Sequence, residues 1–240
     1  MNRYAAEQLR SLFSIGALLV LAACSASTPN YSAIVANPDR PDNERELDAA
    51  RKPSQVLAFY GVKSGDKVAD LWAGRGYYTA LLAEVVGANG LVYTVNPTSR
   101  DEINQVWKSA KFANVKIADG PFDKIALPQD ASLDLVLIHL NYHDVDPAVR
   151  DAMNKRILAS LKRGGIYAVV DHSAKEGSGN EAIKTLHRID KLQVIKEVTA
   201  AGFTLAKEGN MLRVPEDKRD FNVNKERNKD DRFVLAFQRP

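Results

Sequence analysis

Imidazole and carboxylate side chains are concentrated in one stretch of the chain. All four histidines lie within residues 139–187, and they are His139, His143, His172 and His187. Asp144 and Asp171 stand directly beside two of them in the sequence. Because histidine titrates near neutral pH, a histidine with a neighbouring carboxylate suits general-base chemistry, and His143 and His172 are the candidate bases. The pattern predicts a polar reactive site in this part of the chain.

Two other interpretations of these histidines remain open. His139 interrupts an apolar segment, which suits a buried and hydrogen-bonded core residue, and His187 beside Arg188 suits a surface pair. A metal site is the second alternative, since imidazole and carboxylate together bind zinc. Its ligands would come from His143, His172 and His187 with Asp144, Asp171 or Asp190. No H-x-x-x-H or H-E-x-x-H spacing connects His143, His172 and His187, so the preferred interpretation has no metal.

A second candidate site is the segment V-A-D-L-W-A-G-R-G-Y-Y-T at residues 68–79. An apolar strand runs through Asp70 into a turn that contains Gly74 and Gly76, and a helix is predicted over residues 77–86. Glycine lets the backbone turn sharply and approach a ligand, and the free N–H groups of the helix start favour a carboxylate or phosphate. This arrangement indicates a nucleoside-cofactor site. An ordinary strand-to-helix turn, in which glycine serves geometry alone, is the alternative.

The spacing of the glycines separates the cofactor classes. A dinucleotide fingerprint needs a third glycine three residues after the second, and Thr79 stands there instead. NAD is therefore disfavoured. Asn96, Ser99 and Arg100 could surround the 2′-phosphate of NADP, but the missing third glycine counts equally against that cofactor.

The elements that must position both sites alternate along the chain. Strands are predicted at residues 68–71, 91–95, 115–118, 133–140, 166–170, 203–207 and 232–237. Helices are predicted at residues 44–51, 53–60, 77–86, from 147 to a stop at Gly164, and 191–201, with Asp146 and Asp190 as N-caps. The alternation predicts an α/β fold whose seven-stranded, mostly parallel sheet carries helices on both faces. Ligands of such sheets bind beyond the carboxyl ends of the strands, where the histidines lie.

The start of the chain resembles a bacterial lipoprotein signal. Arg3 and Arg10 precede an apolar run at residues 12–23, which is too short to span a bilayer and ends in L-A-A-C at Cys24. The resemblance implies cleavage before Cys24 and a lipid on its thiol. Ser25 after it implies an outer-membrane anchor facing the periplasm. A signal peptide with a chance cysteine is the alternative, but Cys24 is the only cysteine and has no disulfide partner.

Loss of residues 1–23 leaves 240 − 23 = 217 residues, enough for one sizeable domain. Residues 24–43, rich in Ser, Asn and Pro without an apolar period, are predicted to be the lipidated cysteine and a flexible tether, and residues 44–240 the domain.

The formal charge of +3 becomes +2, because two arginines and one glutamate leave with the signal. This near balance, without a basic patch, argues against a nucleic-acid partner. The sequence does not indicate an oligomeric state.

The glycine-bearing turn resembles motif I of class I S-adenosylmethionine-dependent methyltransferases, in which alternating glycines follow an acidic residue. Trp72 replaces the first of those glycines, and Asn96 stands where the family usually has an acidic residue for the ribose. From residue 51 onward the chain is similar to a bacterial group of exported class I methyltransferases. The matching segments are R-K-P at 51–53, G-R-G-Y-Y-T at 74–79, N-Y-H-D at 141–144, D-H-S-A at 171–174, L-H-R-I-D at 186–190 and D-R-F-V-L at 231–235.

The resemblance implies a Rossmann-like fold whose last strand is antiparallel, with S-adenosylmethionine as cofactor and methyl transfer to an unknown small acceptor. The implied cofactor-binding residues are Asp70, Trp72, Gly74, Gly76, Tyr78, Asn96, Asp119 and Gly120. The implied catalytic or substrate-positioning residues are Asn141, Tyr142, His143, Asp144, His172 and His187. The alternative is a catalytically degenerate methyltransferase fold that serves as an envelope ligand-binding lipoprotein. It is kept open because S-adenosylmethionine is made in the cytoplasm, and because Trp72 and Asn96 depart from the motif.

Overall fold

The computed structural model describes residues 28–240, so the predicted signal peptide and Cys24 lie outside the described residues. Seven strands of this part form one sheet in the order β3-β2-β1-β4-β5-β7-β6. The strands are β1 (Lys67–Leu71), β2 (Leu91–Val95), β3 (Val115–Ile117), β4 (Leu133–His139), β5 (Leu161–His172), β6 (Thr204–Gly209) and β7 (Arg232–Gln238). The strands β1 to β5 pair in parallel, whereas β7 runs antiparallel to both β5 and β6. The predicted fold class and the antiparallel last strand are confirmed.

Helices cover both faces of this sheet. They are α1 (Tyr31–Val35), α2 (Asp42–Arg45), α3 (Asp48–Arg51), α4 (Pro53–Tyr60), α5 (Tyr77–Val86), α6 (Asp101–Trp107), α7 (Pro147–Ser160), α8 (Ile183–Leu186) and α9 (Lys191–Ala200). Alternate side chains of β4 point to opposite faces: Leu135 packs with α4 and α5, and Val136 packs with α7 and α9. Because both faces of β4 are covered, its sequence is almost continuously apolar. Among the described residues, no helix is both long and apolar enough to cross a bilayer.

The order of the strands determines where the ligand crevice lies. The chain leaves β1 toward β2 on one side, and β4 returns to pair with β1 on the other side. The connections therefore diverge between β1 and β4, which leaves an open crevice at the carboxyl ends of these two strands. The turn after β1 and the histidines after β4 and β5 both lie at this edge.

The predicted flexible tether is wrong for residues 31–43. Tyr31 in α1 is buried, and its hydroxyl donates a hydrogen bond to the Val62 carbonyl at 2.6 Å. Arg40 is also buried and pairs with Asp48, with Nη1 at 2.7 Å from Oδ2. The partners of both residues lie later in the chain, so the local composition of this segment could not reveal its packing.

Two helices begin at their predicted capping residues. Asp146 and Asp190 accept hydrogen bonds from Ala148 N and Leu192 N, as N-caps do. Helix α7 ends at Ser160 rather than at the predicted Gly164, because the next residues already belong to β5. Strand β5 has a register shift there, and Gly164 adopts a φ of 77° within it.

The charged segment at residues 213–230 is anchored by ion pairs rather than fully solvated. Arg188 and Asp217 are both 0 % exposed, and Nη1 lies 2.7 Å from Oδ2. Arg213 and Arg219 both pair with Asp231, at 2.7 and 2.9 Å. These pairs hold the segment against the sheet edge that carries the histidines.

Candidate active site

The turn after β1 contains three residues with positive φ angles. Trp72 has a φ of 54°, which is strained for a bulky residue, and Gly74 and Gly76 have φ values of 61° and 90°. Trp72 thus adopts the backbone conformation that a glycine would favour at this position. Its indole packs against Phe122, with ring centroids 5.3 Å apart, and it lines one side of the cleft.

The two glycines of the turn have different surroundings. A Cβ atom on Gly74 would meet nothing closer than the Trp72 carbonyl oxygen at 4.0 Å. A Cβ atom on Gly76 would lie 2.0 Å from the indole of Trp107, which is buried. Gly76 is therefore required by packing, whereas Gly74 leaves its backbone open to a ligand.

A cleft of about 240 Å³ opens beside this turn at the carboxyl ends of β1 and β4. Its lining residues are Asn43, Glu44, Leu47, Arg51, Asp70, Trp72, Ala73, Gly74, Arg75, Tyr77, Tyr78, His139 and Asn141. Residues 43–51 were not predicted to form a wall of the site. They precede the glycine turn by more than twenty residues, and only the fold brings them to it.

Two charged groups of opposite sign lie at the inner end of the cleft. Burial of Asp70 raises the pKa of its carboxyl to about 7, despite a 2.7 Å hydrogen bond from the Thr79 hydroxyl. The guanidinium of Arg51 stacks on the Tyr77 ring at 4.4 Å, and burial lowers its pKa. Among the described residues, Arg51 makes no ion pair with a carboxylate. Both groups are thus available to the charged ends of a zwitterionic ligand.

Three buried polar atoms around the cleft lack a partner within the described residues. They are the hydroxyl of Tyr78, Nε2 of His139 and Nδ2 of Asn96. The rings of Tyr78 and His139 lie 4.6 Å apart, and burial holds the pKa of His139 well below its usual value, so this imidazole is neutral. An unpaired buried polar atom costs about 1–3 kcal/mol, and a polar ligand in the cleft would remove that cost.

Asn96 is held by the residues that were predicted to share its site. Its backbone N–H donates to Asp119 Oδ1 at 2.7 Å, and its carbonyl accepts from Gly120 N at 2.9 Å. Asn96 Oδ1 accepts from Gly74 N at 2.9 Å, which leaves Nδ2 as the free donor in the assigned amide orientation. The structure therefore joins Asn96, Asp119 and Gly120 to the glycine turn, and a ligand hydroxyl fits the free donor.

A cluster around His143 adjoins the cleft. Asp171 contacts Nδ1 of this imidazole at 2.8 Å and accepts the His143 backbone N–H at 2.8 Å. On the other side of the ring, Nε2 lies 3.3 Å from Asp144 Oδ1, and His187 Nδ1 lies 3.7 Å from the same oxygen. Burial opposes protonation of His143, but Asp171 and Asp144 outweigh it and raise its pKa.

Asn141 links this cluster to the cleft. Its side chain lines the cleft, and its Nδ2 donates a 2.8 Å hydrogen bond to Asp144 Oδ2. The structure therefore brings Asn141, His143, Asp144 and His187 together beside this cleft.

Two predicted site residues have other surroundings. Tyr142 is fully buried in the core, where its hydroxyl donates to Glu197 at 2.8 Å and accepts from Asn154 at 3.0 Å. Tyr142 is therefore a core residue rather than a substrate-positioning one.

His172 pairs with Asp230 at 2.5 Å, and Arg232 contacts the same carboxylate at 2.8 Å. This network pairs His172 with Asp230 and Arg232, apart from the contacts of His143 and His187 with Asp144.

Comparison with known proteins identifies the fold. No family model matches the chain. A protein-L-isoaspartate O-methyltransferase of Ignicoccus hospitalis is 26 % identical over 159 residues, which cover 65 % of this chain and 70 % of that protein. A solved S-adenosylmethionine-dependent methyltransferase from Aquifex aeolicus is 20 % identical with a TM-score of 0.61, and the match covers 84 % of this chain and 99 % of that one.

A further solved structure contains the product of the cofactor. It is the geranyl diphosphate C-methyltransferase from Streptomyces coelicolor in complex with Mg²⁺, geranyl diphosphate and S-adenosyl-L-homocysteine. It is 12 % identical with a TM-score of 0.61, and the match covers 87 % of this chain and 88 % of that one. The chain therefore has the class I S-adenosylmethionine-dependent methyltransferase fold.

Proposed function

We propose that the protein transfers a methyl group from S-adenosylmethionine to a small acceptor. The observation that carries this proposal is the open Cα side of Gly74, which lines the cleft together with Asp70 and donates its backbone N–H to Asn96. The relatives named above are methyltransferases, which supports the same reaction. The identity of the acceptor is not part of the proposal.

The residues present fit this cofactor. Helix α5 begins at Gly76 without a side-chain cap, so its first N–H groups can bind the carboxylate of the methionine part. Asp70 suits the positive charge of the ammonium or sulfonium, and Asn96 Nδ2 suits a ribose hydroxyl. S-adenosylmethionine supplies a methyl group that is already activated by the sulfonium. The protein needs to hold the two reactants in line and to exclude water.

The acceptor side of the site is the cluster around His143. Asp171 fixes the imidazole through Nδ1, so Nε2 is the atom that faces the partly exposed Asp144. A lone pair on Nε2 can take a proton from the acceptor, or it can hold a cation that acidifies the acceptor. Asn141 lies between this nitrogen and the cleft and can orient the acceptor.

A second candidate function is ligand binding without catalysis in the cell envelope. Trp72 favours it, because an indole lines the cleft where the motif has a glycine. Calorimetry with S-adenosylhomocysteine separates the two functions. Micromolar binding supports the methyltransferase, whereas absence of binding at millimolar ligand supports the other function.

The affinity for S-adenosylhomocysteine should depend on pH through Asp70. Burial raises the pKa of this carboxyl to about 7 in the free protein, and a nearby ligand ammonium favours its ionised form. Binding therefore releases a proton below pH 7, and affinity should rise about tenfold between pH 6 and pH 8. Calorimetry at the two pH values measures this change. The Asp70→Asn variant should show no such rise, and a tenfold rise in the variant would assign the effect to another group.

We also propose that the protein is a lipoprotein of the bacterial envelope, as its resemblance to the exported group implies. The support comes from residues 1–24, with a short apolar run and a single cysteine directly after it. Lipid attachment at Cys24 would anchor the domain to the membrane, facing the periplasm.

Cys24→Ser should abolish incorporation of labelled palmitate in a bacterium that expresses the full chain. It should also release the protein from the membrane fraction, because a thiol is the attachment point of the lipid. Ser25→Ala is the matched control and should keep the label. Label that persists in Cys24→Ser would rule out this anchor.

A further inference from the structure

We propose that His143, Asp144 and His187 form a binding site for a divalent transition-metal ion, with zinc as the ion that fits best. The three side chains come from two distant parts of the chain, residues 143–144 after β4 and residue 187 at the end of α8. Each offers one ligand atom, and these atoms all lie within 4.8 Å of one another.

The distances suit a tetrahedral ion. Zinc bonds to nitrogen and oxygen are about 2.0–2.2 Å long, which places neighbouring ligand atoms of a tetrahedron roughly 3.3–3.6 Å apart. Asp144 Oδ1 lies 3.3 Å from His143 Nε2 and 3.7 Å from His187 Nδ1. Both separations that involve His187 have to shorten, the one to His143 from at most 4.8 Å, and His187 is exposed enough to move, with 37 % of its side chain accessible.

The residues behind the cluster orient it as metal ligands are usually oriented. A histidine that binds zinc commonly donates its other ring N–H to a carboxylate, which leaves the second nitrogen's lone pair toward the ion. Asp171 is the accepting carboxylate for His143, at 2.8 Å from Nδ1, and it is 0 % exposed. Asn141 similarly holds the second oxygen of Asp144 at 2.8 Å. These two supports hold His143 and Asp144, whose ligand atoms lie within 4.8 Å of each other and of the His187 ligand atom.

The ligand set selects the class of ion. Two imidazoles and one carboxylate favour zinc or a similar transition metal, because magnesium and calcium prefer oxygen ligands. Three protein ligands also leave a fourth position open to water or substrate. The side chains of Asp144 and His187 are 30 % and 37 % exposed, so that position can be reached from solvent.

A metal ion at this site could activate the methyl acceptor. This catalytic role rests on the proposed function, whereas metal binding itself does not. A zinc ion here would lie beside Asn141, which lines the cofactor cleft. An acceptor oxygen bound to the ion would lose its proton near neutral pH and become a better nucleophile for the methyl group. Metal binding is measured without any methyl transfer. The zinc-site proposal and the methyltransferase proposal can therefore be disproved independently of each other.

The test is a titration of zinc into the purified full-length chain after removal of metal with a chelator. We expect one ion per chain with micromolar or tighter affinity, even in the Cys24→Ser background. His187→Gln and Asp144→Asn should each weaken binding at least tenfold, since each removes one ligand. His172→Gln is the matched control, because its ring lies 5.6 Å from His143 but its Nδ1 is held by Asp230, and it should bind zinc as before.

Cobalt gives a readout that does not depend on affinity alone. Co²⁺ in the same chain should show the visible absorption bands of tetrahedral coordination, and these bands should be lost in both ligand variants. Millimolar zinc binding, or binding that is unchanged in His187→Gln and Asp144→Asn, would overturn the proposal. Circular dichroism of each variant separates loss of a ligand from loss of the fold.

Discussion

We expect His143→Ala to lower the turnover number at least about a hundredfold, while the dissociation constant for S-adenosylhomocysteine stays within about threefold. The expected asymmetry follows from the position of the imidazole. His143 contacts Asp171 and faces Asp144, whereas the cofactor-binding groups Asp70 and Asn96 lie along the glycine turn. The side chain therefore serves the acceptor, either as a base or as a metal ligand, and contributes little to holding the cofactor.

Turnover is measured as S-adenosylhomocysteine release with a panel of small hydroxyl, amine and carboxyl acceptors. Tyr142→Phe is the matched control, because that hydroxyl contacts Glu197 and Asn154 in the core and should not affect the reaction. Equal loss of turnover and of ligand affinity in His143→Ala would instead assign the residue to binding or folding.

Gly76→Ala should lower the free energy of unfolding by about 3 kcal/mol, whereas Gly74→Ala should lower it by only about 1 kcal/mol. Both residues have positive φ angles, which cost an alanine roughly 1–2 kcal/mol. Only at Gly76 does the new methyl group overlap the buried indole of Trp107, and overpacking adds about 1–3 kcal/mol.

For ligand affinity the order should be reversed. Among molecules that remain folded, Gly74→Ala should weaken ligand binding more than Gly76→Ala does. The methyl group of Gly74→Ala projects into the open side of the turn, where the cofactor is expected to approach. Urea denaturation measures the stabilities, and calorimetry with S-adenosylhomocysteine measures the affinities. Equal stability losses would mean that Trp107 can move aside and that Gly76 is not required by packing.

The sheet and the glycine turn could be predicted because their signals are local. Strand β2 and helix α5 begin and end at the predicted residues, since each is an apolar run between turn-forming residues. Asp70, Gly74 and Gly76 lie within seven residues of one another, so one strand-turn-helix unit places all three. The family resemblance implied Asn96 and Asp119 for the same cofactor site, and the Asn96 N–H donates a hydrogen bond to Asp119 Oδ1 at 2.7 Å.

The rest of the site depends on contacts between distant parts of the chain. Arg51 reaches the cleft only because α3 packs across the turn after β1. Tyr142 was implied as a site residue by the family resemblance, but Leu140 has a φ of 63° directly after β4 and redirects the chain, and the Tyr142 side chain lies in the core. The pairing of His143 with Asp171 and the approach of His187 likewise join residues after β4 to later segments.

The most direct test of the central claim is a crystal structure of the protein with S-adenosylhomocysteine. We predict the homocysteine part at Gly74 and the start of α5, a ribose hydroxyl bonded to Asn96 Nδ2, and the sulfur directed toward Asn141 and His143. The result that would contradict the claim is a cleft filled by the indole of Trp72, with the ligand absent or bound elsewhere on the protein.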